Sequence, residues 1–180
     1  MIARAWKWIA AMLLVAAAVH GATLLLLPRF IMLRTMAGMT KLAGAANTIA
    51  HAPRATWRSR TVVRPSPDLL YSICVYDLGA AGGAVRVSTH DMPQSYWSVS
   101  VFDADTNNFY ALNDEQSKTG ETNFILMPQG RTADAGRLPV VGAPTGRGIV
   151  LFRTLVSDEA HLAQIDAARH NAVCEPYKAD

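Results

Sequence analysis

The chain has 180 residues, 51% of them hydrophobic and 17% charged, which is too apolar for a disordered polymer and sized for one domain. With 12 Gly, 9 Pro and 2 Cys it is neither collagen-like, nor a disulfide-dense mini-protein, nor a multi-cysteine zinc module. The net charge of +3 hides an asymmetry: nine basic residues precede the first acid, Asp68, whereas eight basic residues face 14 acidic ones from there on.

After an eight-residue tail carrying Arg4 and Lys7, residues 9–27 run IAAMLLVAAAVHGATLLLL without a formal charge. At about 1.5 Å per residue a helix of this length crosses most of a bilayer core. Trp6 and Trp8 suit one interface, and Pro28 with Arg29 closes the other. A cleavable signal sequence ending near AVHGA is the rival reading, but the apolar run is long for one, and a cut there leaves Leu24 to Leu27 as a new terminus. The sequence therefore predicts an uncleaved single-pass anchor, with the short tail inside and the main domain in the periplasm of a bacterial inner membrane. His20 within the span reads as a neutral imidazole bonded locally or lying near an interface.

Residues 28–60 read as a juxtamembrane segment. Met32, Met36, Met39, Ala43, Ala46 and Ala50 recur at helical spacing over residues 30–51, with Arg34, Lys41 and Thr48 opposite. The pattern predicts an amphipathic helix whose small, methionine-rich face meets either lipid or its own domain. The basic stretch that follows, HAPRATWRSRTVVRP, carries four arginines and Trp57. Tethering to a membrane argues against nucleic acid as its partner and for headgroups, a protein or plain solvent.

Residues 61–180 change texture to short runs of branched and aromatic residues punctuated by turn formers. Strands are expected near residues 69–77, 84–89, 96–102, 108–113, 122–127 and 148–155. Alternation in YWSVSVF puts Trp97, Val99 and Val101 on one face and Tyr96, Ser98, Ser100 and Phe102 on the other. Ser157 with Asp158 and Glu159 marks the start of a C-terminal helix that turns Leu162, Ile165 and Ala168 or Ala172 inward. The expected fold is mainly β: an antiparallel, jelly-roll-like β-sandwich with one transmembrane helix, a juxtamembrane helix and a short terminal helix.

RPSPDLLYS at 64–72, YWSVSVFDADTNNF at 96–109 and GRGIVLFRTLV at 146–156, taken in that order, resemble the bacterial domain-of-unknown-function family 1254. Asp68 and Tyr71 match the family's opening motif, while Ser66 and Leu69 depart from it. The resemblance implies a β-sandwich, often accompanied by a second related sandwich in the same chain or a neighbouring protein, and no established reaction. It thus implies a companion that carries the other sandwich.

Chemistry-bearing residues are sparse. Asp103, Asp105, Asn107 and Asp114 fall at positions 1, 3, 5 and 12 of a calcium-loop-like window, but position six is Asn108 rather than Gly, and Asx turns explain the same residues. Cys74 and Cys174 are either a disulfide across a long loop or two thiols, one in an apolar strand and one in the tail. His90 and Asp91 read as exposed loop, and His161 and His170, nine apart, as surface. GAPTGRG feeds a strand, not a helix, so it is no P-loop; it leaves Arg147 for an anion. Arg153, in an apolar strand, needs a partner such as Asp77, Asp103 or Asp105.

These features favour a noncatalytic binding or accessory subunit without a cofactor. Two rivals stand beside it: a hydrolase or isomerase with Asp68, Tyr71, Asp103 and Arg153 in one pocket, and a lipid or apolar-metabolite carrier with a cavity between the sheets. Tyr96, Asp105, Asn107, Asn108 and Arg147 are the candidate ligand-binding residues.

Overall fold

The computed structural model describes residues 2–60, 64–117, 119–131 and 137–178, with side chains from Ala5 onward. Arg4's side chain, residues 61–63 of the basic stretch, where the sandwich is expected to begin, and the last two residues lie outside the described residues.

One helix, α1 (Ile2–Ala43), replaces the two expected at the N-terminus, continuing through Pro28 and ending before Gly44, whose φ of +85° suits a helix stop. The expected second helix over residues 30–51 is therefore corrected at both ends. Its start is continuous with the apolar span, and its last residues form a strand, β1 (Ile49–His51). Alanines 46 and 50 extended the periodic pattern past the glycine that ends the helix.

The remaining strands are β2 (Leu69–Asp77), β3 (Val85–Thr89), β4 (Trp97–Asp103), β5 (Asn108–Asn113), β6 (Thr122–Pro128), β7 (Val140–Ala143), β8 (Arg147–Leu155) and β9 (Val173–Pro176). They form a five-stranded sheet, β1-β2-β8-β4-β5, facing a four-stranded sheet, β7-β6-β3-β9. Pairing is antiparallel except between β6 and β7, which are parallel, so the expectation of a wholly antiparallel sandwich is corrected at that edge. The C-terminal helix, α2 (Leu162–Arg169), follows a 3₁₀ turn at Glu159–His161 capped by Asp158 rather than Ser157; the Asp158 side chain accepts from the Ala160 amide. Ile165 and Ala172 are buried, as their spacing implies.

Period-two alternation sorts the two faces of the five-stranded sheet. Cys74, Tyr76, Trp97, Val99, Val101, Val150 and Phe152 point inward to meet Val85, Val87, Phe124 and Leu126 of the other sheet. The space between the sheets is thus filled by side chains that are almost wholly buried. Cys74 of β2 and Cys174 of β9 join the sheets in a disulfide.

On the outer face, Met32 and Met36 of α1 are buried against Val75 and Ile149, with Met39, Ile73, Phe102, Ala104 and Leu151 packed around them. Of the two expected roles for the methionine stripe, packing on its own domain is the one seen. Arg29 pairs with Asp105 in the β4–β5 turn, and Asn47 bonds both backbone groups of β2 near its end, donating to the Asp77 carbonyl and accepting from the Asp77 amide. Both anchor points lie at one end of the strands, since Asp77 pairs with Arg147 and Gly148 with Asp103. The helix therefore crosses that end of the sheet and does not reach the other. Its first 27 residues project away, with Trp6, Trp8, Leu13 and Leu24 to Leu27 exposed.

Candidate functional site

The half of the outer face that α1 does not reach carries a polar row, in which Ser98 and Ser100 are themselves buried. Strand register sets Tyr71 of β2 opposite Arg153 of β8, Arg153 opposite Ser98 of β4, and Ser98 opposite Asn113 of β5. Below it lie Leu69, Leu155 and Tyr96, with Tyr96 39% exposed. Arg153 is half-buried, and one terminal nitrogen donates to Ser100 Oγ at 2.6 Å. Its Nε is buried with no acceptor among the described residues, and Ser98 Oγ is likewise buried and unpartnered. The expected carboxylate partners are committed elsewhere. Asp77 holds Arg147 at 3.1 Å and Asp105 holds Arg29. Tyr71's hydroxyl accepts from the Ser66 amide at 2.9 Å, and the Asp68 amide donates to the Ser66 hydroxyl oxygen at 3.3 Å.

The four residues expected to share a pocket divide. Tyr71 and Arg153 are cross-strand neighbours, and Asp68 lies just before β2. Asp103, opposite Gly148, is five residues along the strands from the Ser98–Arg153 pair, about 17 Å at the usual rise.

At the far end the expected calcium window is an Asx turn. Asp103 Oδ1 accepts from the amides of Asp105 and Asn107, and Oδ2 from the Asn107 side chain, so its lone pairs close the turn at Thr106, where φ is +72°. Asn108 is exposed at the start of β5, and Asp114 lies past its end with its amide on the Trp97 carbonyl. No cluster of three metal-ligating acids, histidines or cysteines occurs among the described residues. Arg147, expected to be available for an anion, is occupied by Asp77.

Sequence reasoning missed a second polar cluster where β1 and β2 meet α2. His51 Nδ1 lies 2.8 Å from Ser72 Oγ, and its ring stacks on His170 with centroids 3.9 Å apart. Burial, then His170 and Arg169, pushes the His51 pKa down to about 4. Arg169, 6% exposed, donates to Asp166 and to the backbone carbonyls of Ala52 and Tyr71. A signal existed: Arg169 follows Ile165 by four residues, on the inward stripe of α2, where a charge demands partners. His170's pairing with His51 rests on a 119-residue separation that no spacing rule reveals.

A cleft of about 330 Å³ opens at the sandwich edge between β5 and β6, lined by Tyr110, Leu112, Thr122, Phe124 and Pro139 among others. Tyr110 and Phe124 rings meet at 4.8 Å. The open space is thus at the edge, not between the filled sheets.

An apolar N-terminal helix together with a disulfide indicates a secreted or envelope location. The three sequence motifs fall on β2, β4 and β8, adjacent strands of one sheet. In comparison with known families, residues 46–176 match the model of the protein family of unknown function DUF1254, and the chain belongs to that family. No curated protein matches the sequence. Among solved structures, the VPA0106 protein from Vibrio parahaemolyticus is similar, with a TM-score of 0.56 and 16% identity over 62% of this chain and 28% of that one. An uncharacterized protein from Burkholderia cenocepacia gives a TM-score of 0.44 and 16% identity over 90% of this chain and 42% of that one. The chain spans less than half the length of either.

Proposed function

We propose that this protein is a single-pass anchored component of the bacterial inner membrane, with its sandwich in the periplasm. There it acts as a noncatalytic binding or accessory subunit beside a related sandwich-domain protein or membrane complex. The observation that carries this reading is the continuity of α1: the rod that holds the exposed apolar stretch also supplies Met32 and Met36 to a buried seat on the domain. Cleavage near Ala22 leaves Leu24 to Leu27, 48–72% exposed, at the head of the folded body, which disfavours a released form. The disulfide fits an oxidising compartment. Tyr71 and Arg153 on the outer sheet face, with Asp103 five residues along the strands and of inward parity, support binding over chemistry.

A C-terminal alkaline phosphatase fusion to the full chain tests the reading. Enzymatic activity from intact cells, with the fusion held in the pellet through an alkaline carbonate wash, is the expected result. An inactive fusion, or one released by the wash, contradicts it.

A further inference from the structure

We propose that the half of the outer sheet face beyond the reach of α1 docks a protein companion through an acidic side chain whose carboxylate seats on Arg153 and Ser98. The inference rests on the accessory-subunit reading and adds the place and chemistry of contact. Arg29, Arg54, Arg86, Arg147 and Arg169 each have an Asp or Glu within 4.0 Å. Arg153, in the middle of a sheet face, has only a serine hydroxyl among the described residues. A half-buried guanidinium without a counter-ion is costly, and each unpaired buried donor adds to that cost. Two such groups lie side by side here, Arg153 Nε and Ser98 Oγ, on directly paired residues.

Both can donate, and a carboxylate is the acceptor that fits them. The planar guanidinium offers Nε–H and a terminal N–H as a parallel fork to two oxygens, and the Ser98 hydroxyl supplies a third bond. Both donors are closed to solvent while the head rests on Ser100, so the carboxylate seats only as the long arginine stem lifts the head away, exchanging a neutral acceptor for a charged one. The row of Leu69, Leu155 and half-exposed Tyr96 beside it supplies the apolar, aromatic border common to protein contacts. Nearby, the Tyr71 oxygen accepts from the Ser66 amide and Asn113 Oδ1 from the Gln116 amide, which leaves the Tyr71 hydroxyl proton and the Asn113 side-chain amide as further donors beside the seat.

The test follows the Arg153 Nε–H resonance of the ¹⁵N-labelled full chain in detergent micelles, assigned by its loss in Arg153→Lys. Three probes are titrated: a capped tripeptide with central glutamate, its glutamine counterpart, and acetate. The glutamate peptide is expected to move the resonance and to bind about tenfold more tightly than the glutamine peptide. Ser98→Ala should weaken it by about threefold with the spectrum otherwise unchanged, because Ser98 Oγ makes no hydrogen bond among the described residues. Equal response to both peptides, or none, overturns the proposal. Acetate binding as tightly as the glutamate peptide also overturns it, in favour of a free small acid. None of these probes depends on the anchor, so the inference can fail here while the phosphatase fusion still supports the membrane reading.

Discussion

Toward one end of the five-stranded sheet, Val75, Ile149 and Phe102 lie beneath the methionines of α1; a few residues along the same strands, Tyr71, Arg153 and Ser98 lie beyond the helix. Both sets point outward by the same alternation. The strands determine which side chains leave the sheet, but what covers them comes from elsewhere in the chain, or from outside it. The covered half is closed by Met32 and Met36, with one unpartnered hydroxyl on the helix at Thr40; the other half carries a charged group, Arg153, whose Nε is unpaired beside the unpaired Ser98 hydroxyl. The contrast suggests that the first half serves the fold and the second serves contact.

Lesions in the shared interior should erase the difference. Replacing both Cys74 and Cys174 by alanine removes a cross-link closing a 100-residue separation and should cost about 4 kcal/mol in denaturant unfolding, affecting both halves alike. Gly148→Ala is the next largest. Its added methyl meets the Phe102 carbonyl and the buried Tyr76 hydroxyl, and with backbone on one side the strain should reach about 3 kcal/mol.

Substitutions on the outer face should separate the halves. Met36→Ala opens a cavity where a 2%-exposed side chain meets β2 and β8, with an expected loss of about 2.5 kcal/mol. The acid dependence of stability should trace to His51, outside both. Its folded pKa, about 4, lies below the ordinary 6.5, so the unfolded chain takes up the proton first. The stability it contributes is complete above pH 6.5 and is lost as pH falls toward 4. His51→Gln should flatten the melting temperature across that window, by a smaller amount than the core lesions. Smallest of all, Arg153→Met should leave the unfolding midpoint unchanged or slightly raised, because it removes a half-buried charge with an unpaired Nε. A large destabilisation there would assign Arg153 to the fold and dissolve the contrast.

Much of the sandwich was legible because long strands announce themselves. β2 and β5 fall on the expected residues, and β3, β4, β6 and β8 within one residue at their ends. β1, β7 and β9 were not, since three or four residues give period two too little room, and β9 ends in Pro176. The helix boundary differs for another reason: Pro28 with Arg29 marks the interface end of the apolar span in the sequence, yet α1 passes through it without a break. Tyr71 and Arg153 stood out as chemistry-bearing residues, and Arg153's need for a partner was readable from its apolar strand. That its expected acids pair with Arg147 and Arg29 depends on register between distant strands, which no local pattern encodes.

The contrast depends on α1 remaining part of the mature molecule. Intact-mass spectrometry of the protein recovered from carbonate-washed envelope membranes tests this most directly. The account predicts the full chain of 19.5 kDa, apolar helix included. A mass lacking the residues through about Ala22, or a protein found only in the wash, contradicts it.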